Sequence, residues 1–283
     1  MITSRQTIDG AAVASHYDEL DHFYRDVWGD HVHHGLWLRG NETRALALEQ
    51  LADLVASEAQ LKPGVRMCDI GCGYGETARL FASRGATVTA MTISPAQFAF
   101  ARDRQAGNPN PHFLLGDWLT NDLPAESFEA AFAIESSEHM PDLGRFFEQA
   151  ARVLRPGGRL VVCAWLSGDS PSPASQRFLL EPICREGRMP QLGTEGDYES
   201  LGREHGFQAL RFQDITHGVM RTWPAIVWRL LGKFATSPRY LRFVFNRHAH
   251  NRVFALTILR IWLAYRVGAM RYGVFTFVKR EDG

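Results

Sequence analysis

The sequence has few of the features that mark secreted, disulfide-rich or strongly charged proteins. Four cysteines in 283 residues are too few for a disulfide framework, so we expect reduced thiols. Lysine plus arginine equals aspartate plus glutamate, at 31 each, so the chain has no net positive charge that would attract nucleic acid as a partner. The N-terminus lacks the charged and apolar segments of a secretion signal, which predicts a cytoplasmic protein.

Long apolar runs are also missing. The stretch from Val253 to Tyr265 is the most apolar, but Arg260 interrupts it and it is shorter than the ~20 residues that cross a bilayer. No integral membrane span is therefore expected. Acidic residues are absent between Arg221 and Arg280, where twelve lysines or arginines occur. This cationic segment leaves peripheral contact with a membrane open, and the sequence leaves a homo-oligomer open as well.

What the sequence does contain is a regular alternation of strand-like and helix-like patterns. Apolar runs of strand length alternate with amphipathic segments through the middle of the chain, and short connections join them. This order is typical of an α/β fold with a doubly wound sheet. The expected segments are an N-terminal helical cap (1–60), a core (61–166), an insertion with the continuation of the core sheet (167–221), a helical lid (222–271) and a last strand with tail (272–283).

A glycine-rich turn follows the first strand of this core, where Gly71, Gly73 and Gly75 alternate with other residues. A dinucleotide-binding fingerprint would need a further glycine at position 76, but Glu76 stands there, beside the place of a pyrophosphate. The carboxylate of Asp69 suits instead a cofactor with an ammonium group and a sulfonium, such as S-adenosylmethionine. The turn alone is equally compatible with a purely structural role.

The order of motifs along the whole chain favours a cofactor site over a purely structural turn. Four passages match, in order and spacing, the motif series of class I S-adenosylmethionine-dependent methyltransferases: Asp69 to Gly75, Gly116-Asp117, Phe128 to Glu138 and Leu154 to Gly158. The resemblance implies S-adenosylmethionine as cofactor and S-adenosylhomocysteine as product. It also implies a Rossmann-like, seven-stranded, doubly wound sheet whose last strand is antiparallel, with the helical lid inserted before that strand.

More narrowly, the chain resembles the small-molecule branch that contains tocopherol C-methyltransferases and related plant alkaloid and bacterial natural-product enzymes. The passages that carry this resemblance are His16 to Asp18 with Trp28 to Gly35, Thr92 to Gln97, Ile134 to Pro141, Thr222 to Ala225 and Met270 to Gly273. It implies a methyltransferase of secondary metabolism that acts on an O, N or C nucleophile of a lipophilic or aromatic small molecule, such as an isoprenoid-type acceptor.

The resemblance also implies the residues that bind the cofactor. Thr92 and Gln97, in place of the usual acid, would hydrogen-bond the ribose, Asp117 would lie near the adenine amino group, and Tyr17 would close over the methionine end. Thr92 could instead simply end a strand, and Tyr17 could pack the cap. The full expected set is Tyr17, Trp37, Asp69, Gly71, Cys72, Gly73, Gly75, Thr92, Ile93, Gln97, Gly116, Asp117, Trp118 and Glu135.

The stretch from Glu135 to His139 is the expected catalytic region, because it follows a predicted strand at its carboxyl end. Proton removal from a weak nucleophile needs a base with a pKa near the working pH, so His139 is the expected general base. Glu138 or Glu135 would orient it or stabilise positive charge on the acceptor. The alternative is that His139 only packs at the start of a helix.

The lid is rich in aromatic residues, which favours a lipophilic or aromatic acceptor. The expected substrate-binding residues are Trp165, Trp223, Trp228 and Tyr265. The histidines between His31 and His34 are not accompanied by a carboxylate or cysteine cluster, so no metal site is expected. Two other functions stay open: a catalytically silent protein that binds S-adenosylmethionine, and a dinucleotide oxidoreductase.

Overall fold

The fold is that of a computed structural model, which describes residues 1–29, 31–105, 107–237 and 254–281, with side chains omitted at 254–256. The part of the expected lid at 238–253 lies outside the described residues. The β-strands are β1 Ile2–Thr3, β2 Arg66–Ile70, β3 Thr87–Thr92, β4 His112–Leu115, β5 Phe128–Ile134, β6 Leu154–Ser167, β7 Gln191–Leu192, β8 Phe207–Asp214 and β9 Met270–Lys279.

Helices surround these strands. The α-helices are α1 Gly10–Val27, α2 Arg44–Glu58, α3 Glu76–Ser83, α4 Pro95–Asp103, α5 Leu143–Val153, α6 Pro173–Ser175, α7 Glu181–Glu186, α8 Glu195–Glu204, α9 Thr216–Val219, α10 Thr222–Thr236 and α11 Phe254–Arg266. Short 3₁₀ turns cover Trp118–Thr120 and Ser137–His139, and a π-helical turn covers Gln176–Leu180.

Several helices begin where polar side chains satisfy free backbone N–H groups. The Asp9 carboxylate accepts a hydrogen bond from the N–H of Ala12 at the start of α1. Ser94 caps α4, whose first residue is Pro95, and Thr194 forms a capping box at the start of α8. These are the positions where such residues stabilise a helix, so local chemistry fixes where these elements begin.

Seven strands form one sheet in the order β4-β3-β2-β5-β6-β9-β8. The strands from β2 to β6 pair in parallel, whereas β9 runs antiparallel to both β6 and β8. The expectation of a doubly wound sheet with an antiparallel last strand is therefore confirmed. The chain runs outward from β2 to β4 and then returns to β5, so a crevice opens between the carboxyl ends of β2 and β5, where ligands bind in such folds.

Helices and the cap bury both faces of the sheet. On one face Phe81 of α3 packs against Phe132 of β5, with ring centroids 4.9 Å apart. On the other face Phe147 of α5 lies among aromatic rings of α8, β8 and β9 and is fully buried. The expected insertion forms short helical turns and the strand β7, which pairs with β1 at the start of the chain. α10 and α11 pack against each other beside the crevice.

Replacing Phe147 by alanine tests the core on the α5 face. The variant loses a fully buried ring that contacts Phe207 and Phe277. We expect the free energy of unfolding to fall by about 3–5 kcal/mol, measured by urea denaturation. Phe178→Ala is the matched control, because that ring is 63% exposed, and it should change the free energy by less than about 0.5 kcal/mol. Equal losses in the two variants would contradict this description of the core.

Candidate active site

The glycine turn between β2 and α3 combines three left-handed residues, with φ of 81° at Gly71, 55° at Gly73 and 79° at Gly75. A side chain at Gly71 would collide with Ser136, and one at Gly75 would collide with Phe113. Apart from Gly73 and its two chain neighbours, no atom of the described residues lies within 4 Å of the position that a Cβ of Gly73 would take. Two of the glycines therefore serve packing, while Gly73 borders open space.

That open space is a cavity at the carboxyl ends of β2, β3 and β5. Its wall brings together most of the residues expected at the cofactor: Tyr17, Gly71, Gly73, Thr92, Ile93, Gln97, Gly116, Asp117, Trp118 and Glu135. Asp69 and Cys72 line a smaller cavity that shares Gly71 and Gly73 with the first. We name the two together the crevice.

Two of the expected cofactor residues lie elsewhere. Gly75 packs its backbone against the Phe113 ring, as above, and the Trp37 indole N–H donates a long hydrogen bond of 3.5 Å to the Thr222 hydroxyl. Neither is part of the crevice wall. Their contribution is to the shape of the turn and to the attachment of the cap to α10.

A buried carboxylate, Glu135, lies where the cap meets three strands. It is held with φ of 54° directly after β5. Its Oε1 accepts hydrogen bonds from the backbone N–H and Nδ1 of His34 and from the Tyr272 hydroxyl, at 2.6, 2.9 and 2.8 Å. Its Oε2 accepts from the Trp165 indole N–H at 2.9 Å. The Glu135 network therefore joins the cap to β5, β6 and β9.

The pKa values of Glu135 and Glu138 are shifted in opposite directions. Burial acts to raise the pKa of Glu135, but the His34 imidazole and N–H outweigh burial and lower it to about 2. Burial raises the pKa of Glu138 to about 8, and the nearby Glu135 charge adds to this. Glu138 Oε1 accepts from the backbone N–H of Trp165, and its Oε2 accepts from Ser137. Glu135 is thus the ionised member of the pair at neutral pH.

His139 is held at both ring nitrogens. Its Nδ1 lies 3.1 Å from the carbonyl oxygen of Arg188, which can only accept, so Nδ1 carries the proton and donates. Its Nε2 then has the lone pair and accepts a hydrogen bond of 3.0 Å from the Tyr17 hydroxyl. Burial lowers the pKa of His139, so the ring is neutral at pH 7.

A second cavity lies on the other side of these residues, beneath the lid. The two cavities share Tyr17, Val32, Glu135 and His139 as a common wall, which we call the shared wall. Aromatic and aliphatic side chains from the cap, the insertion and the lid form most of the remaining lining, namely Tyr24, Trp28, Trp165, Ile183, Met189, Trp223 and Ile261.

The four residues expected at the substrate are thus divided. Trp165 and Trp223 line the second cavity. Tyr265 is buried against the His34 ring, with centroids 5.9 Å apart, just behind the cavity wall. Trp228 is 74% exposed on the outer face of α10 and is not part of either cavity.

Comparison with known proteins agrees with this geometry. A family model described as a methyltransferase domain matches residues 68–162. The chain is 33% identical to 27-O-demethylrifamycin SV methyltransferase of Amycolatopsis mediterranei over 76% of this chain and 80% of that protein. It is 27% identical to the chloroplastic tocopherol O-methyltransferase of Arabidopsis thaliana, over 94% and 81%. The protein is a class I S-adenosylmethionine-dependent methyltransferase.

The resemblance to the tocopherol methyltransferase branch is confirmed, and family membership excludes the dinucleotide oxidoreductase. Among solved structures, the [4+2]-cyclase SpnF shares the fold with a TM-score of 0.83 and 23% identity, covering 99% of both chains. S-adenosylmethionine is therefore the cofactor of this methyltransferase, and S-adenosylhomocysteine its product.

The crevice of the methyltransferase fits this cofactor. Asp69 is only 3% exposed, and burial raises the pKa of its carboxyl. Among the described residues its carboxylate has no hydrogen bond or ion pair, so the ammonium group of the cofactor would supply the missing partner. At the other end the Trp118 indole N–H donates to the carbonyl of Phe146, which fixes a flat aromatic surface, and Asp117 accepts from the N–H of Leu119.

Other polar contacts of the crevice are internal. The Thr92 hydroxyl donates to Gln97 Oε1 at 2.8 Å and accepts from the N–H of Ser94. Both side chains are almost fully buried at the crevice wall. The pair is therefore pre-positioned, and the Gln97 amide nitrogen would be available to donate to a ribose hydroxyl.

Sequence reasoning missed several residues of the methyltransferase site. The sequence patterns single out His34 only in rejecting a metal site, whereas it is the main partner of Glu135. Val13 joins Tyr17 in the crevice, four residues apart on one face of α1, and this spacing was a usable signal. The other missed residues of its larger cavity are Gly10, Val32, Met91, Ile134, Ser136, Met140 and Pro141.

Within the described ranges, no group of three or more histidine, cysteine, aspartate or glutamate side chains is arranged to hold a metal ion. In the same part of the chain, no helix combines the length and the apolar character needed to cross a bilayer.

Replacing Gly73 by valine tests the cofactor crevice. A branched side chain there would fill the open space and take a strained left-handed backbone. We expect the affinity for S-adenosylmethionine, measured by calorimetry, to fall roughly tenfold to 10²-fold. Gly157→Val is the matched control, because Gly157 also has positive φ and open space around it but lies outside the crevice. Unchanged affinity in Gly73→Val, or equal loss in both variants, would contradict the assignment.

Proposed function

We propose that this methyltransferase methylates a lipophilic or aromatic small molecule, which binds in the second cavity with its nucleophile at the shared wall. The observation that carries the proposal is the shared wall itself: Tyr17, Glu135 and His139 border both the cofactor crevice and the second cavity. The bound cofactor supplies a methyl group on a sulfonium. A nucleophile at this wall would be aligned with that methyl group and shielded from water.

The lining of the second cavity supports a lipophilic acceptor. Tryptophan and aliphatic side chains dominate it, and sites for lipophilic ligands have such a lining. The relatives named above act, by their names, on a tocopherol and on a rifamycin. Three buried polar atoms beside this cavity, Nε2 of His34, Nε1 of Trp223 and the Tyr265 hydroxyl, have no hydrogen bond within the described structure. An acceptor with an oxygen function would give them partners.

In the proposed mechanism His139 is the general base. Because Nδ1 is committed to Arg188, the lone pair of Nε2 is directed toward the shared wall, where Tyr17 now donates to it. A hydroxyl, phenol or other proton-bearing O, N or C nucleophile can take the place of the Tyr17 hydroxyl and transfer its proton to Nε2. A neutral imidazole is the form that this task needs.

The two glutamates have supporting roles in this proposal. Glu135 stays ionised, and its charge raises the pKa of His139, so it stabilises the imidazolium that proton transfer creates. Glu138 binds the backbone of Trp165 and so fixes the end of β6 beside the acceptor. Neither carboxylate is proposed as the base. Four hydrogen-bond donors already occupy Glu135, and Glu138 accepts a hydrogen bond from the backbone of β6 at Trp165.

A catalytically silent protein that binds S-adenosylmethionine is the second candidate. The one observation that bears on it is that a solved structure of the same fold is described as a [4+2]-cyclase, so this fold by itself does not imply methyl transfer. Turnover separates the two candidates. The protein is incubated with S-adenosylmethionine and a panel of phenolic, hydroxyl and amine acceptors, and mass spectrometry detects any S-adenosylhomocysteine that is released. The enzyme is expected to release it, and the silent protein is not.

Replacing His139 by alanine tests the proposed base. We expect kcat to fall about 10²-fold or more, while the affinity for S-adenosylmethionine stays within a factor of about three. His112→Ala is the control, since His112 is exposed at the start of β4 and outside both cavities. Wild-type turnover in His139→Ala would remove this residue from the mechanism.

The pH dependence of the wild-type enzyme gives an independent check. The base works only when neutral, and burial lowers the pKa of His139 from its ordinary value of 6.5. The acid limb of kcat/KM should therefore have its midpoint below pH 6.5, and this limb should disappear in His139→Ala. A midpoint at or above 6.5 would contradict the assignment.

A further inference from the structure

The lid helices α10 and α11 are apolar on two faces. Their inner faces join the core and the second cavity through residues such as Trp223, Ile226, Ile258 and Ile261. Their outer faces also carry apolar side chains at helical spacing. On α10 these exposed residues are Pro224, Trp228, Leu231 and Ala235, and on α11 and the residue after it they are Leu259, Trp262, Leu263 and Val267.

We call this set of exposed apolar residues the lid patch. The spacing of three and four residues places each row on one side of its helix, turned away from the core. Since α10 and α11 pack against each other, the two rows form adjoining parts of one surface. Scattered exposed leucines need no explanation, but two rows with two tryptophans indicate a surface that meets another apolar phase.

Positive charge borders the lid patch. Arg229 follows Trp228, and Arg266 lies over the Trp262 ring at 5.4 Å from its centroid. Arg229 donates to the backbone carbonyl of Asp26, and neither arginine forms an ion pair with a described carboxylate. Lys233, by contrast, pairs with Asp26 at 3.5 Å. The described helices α10 and α11 contain no aspartate or glutamate, so the charge that these two helices place beside the patch is positive.

This positive charge favours one kind of binding partner for the lid patch over another. Two copies of the chain that met through it about a two-fold axis would bring the same arginines together, which costs free energy. An anionic lipid surface instead pairs with the arginines, while tryptophan and leucine enter the region between headgroups and acyl chains.

We propose that the lid patch binds the surface of an anionic membrane. The inner faces of the same two helices line the proposed acceptor cavity, so the patch would hold that cavity beside the bilayer in which a lipophilic acceptor dissolves. Binding at the surface requires no span, and it needs neither cofactor nor catalysis.

The experiment is flotation of the full-length protein with vesicles. We expect it to float with vesicles of phosphatidylglycerol and phosphatidylcholine, to bind pure phosphatidylcholine more weakly, and to be released as salt increases. The double variant Leu231→Glu/Leu263→Glu should lower the partition coefficient roughly tenfold or more. Leu210→Glu is the matched control: this leucine of β8 is 46% exposed, against 51% and 42% for Leu231 and Leu263, and should bind as wild type.

Three results would overturn the proposal. One is wild-type protein that does not float with anionic vesicles. Another is a double variant that binds as tightly as Leu210→Glu while retaining the wild-type melting temperature. The third is a concentration-dependent dimer in sedimentation that the double variant abolishes, since the patch would then be an interface between two copies. Failure of methyl transfer would leave this proposal unaffected, because flotation is measured without acceptor.

Discussion

The buried carboxylate of Glu135 is the constraint on which the active site depends. A buried charge is costly unless several donors surround it, and here His34, Tyr272 and Trp165 supply four hydrogen bonds. Those donors come from the cap, β9 and β6, so satisfying one charge fixes the relative positions of elements that are far apart in sequence. The cap can therefore close over the crevice in one arrangement only.

The same network determines how the two cavities meet. With the cap fixed, Tyr17 of α1 reaches the Nε2 of His139, and the insertion brings the carbonyl of Arg188 to the other ring nitrogen. The imidazole is thus held in one tautomer in a dry wall with a lowered pKa. The Rossmann-like sheet and its loops supply most of the crevice, whereas the cap, insertion and lid supply most of the second cavity.

Local signals made the fold and the crevice predictable from sequence. Three of these signals are the turn from Asp69 to Gly75, the strand end at Thr92 and the Gly116-Asp117 pair. In each of them the residues that interact are close together in the sequence. The Glu135 contact with His34 spans 101 residues and was not predictable, because no local pattern records such pairing. Trp228 shows another limit: when both faces of α10 are apolar, periodicity does not say which face is inside.

The most direct test of this account is hydrogen exchange in Glu135→Gln. All four neighbours of the carboxylate donate, so an amide NH₂ in place of one oxygen must leave at least one donor without a partner. We expect amide exchange in α1 and around His34 to accelerate roughly tenfold or more, while α5 stays protected. Wild-type exchange rates in α1 of this variant would contradict the claim that Glu135 holds the cap on the sheet.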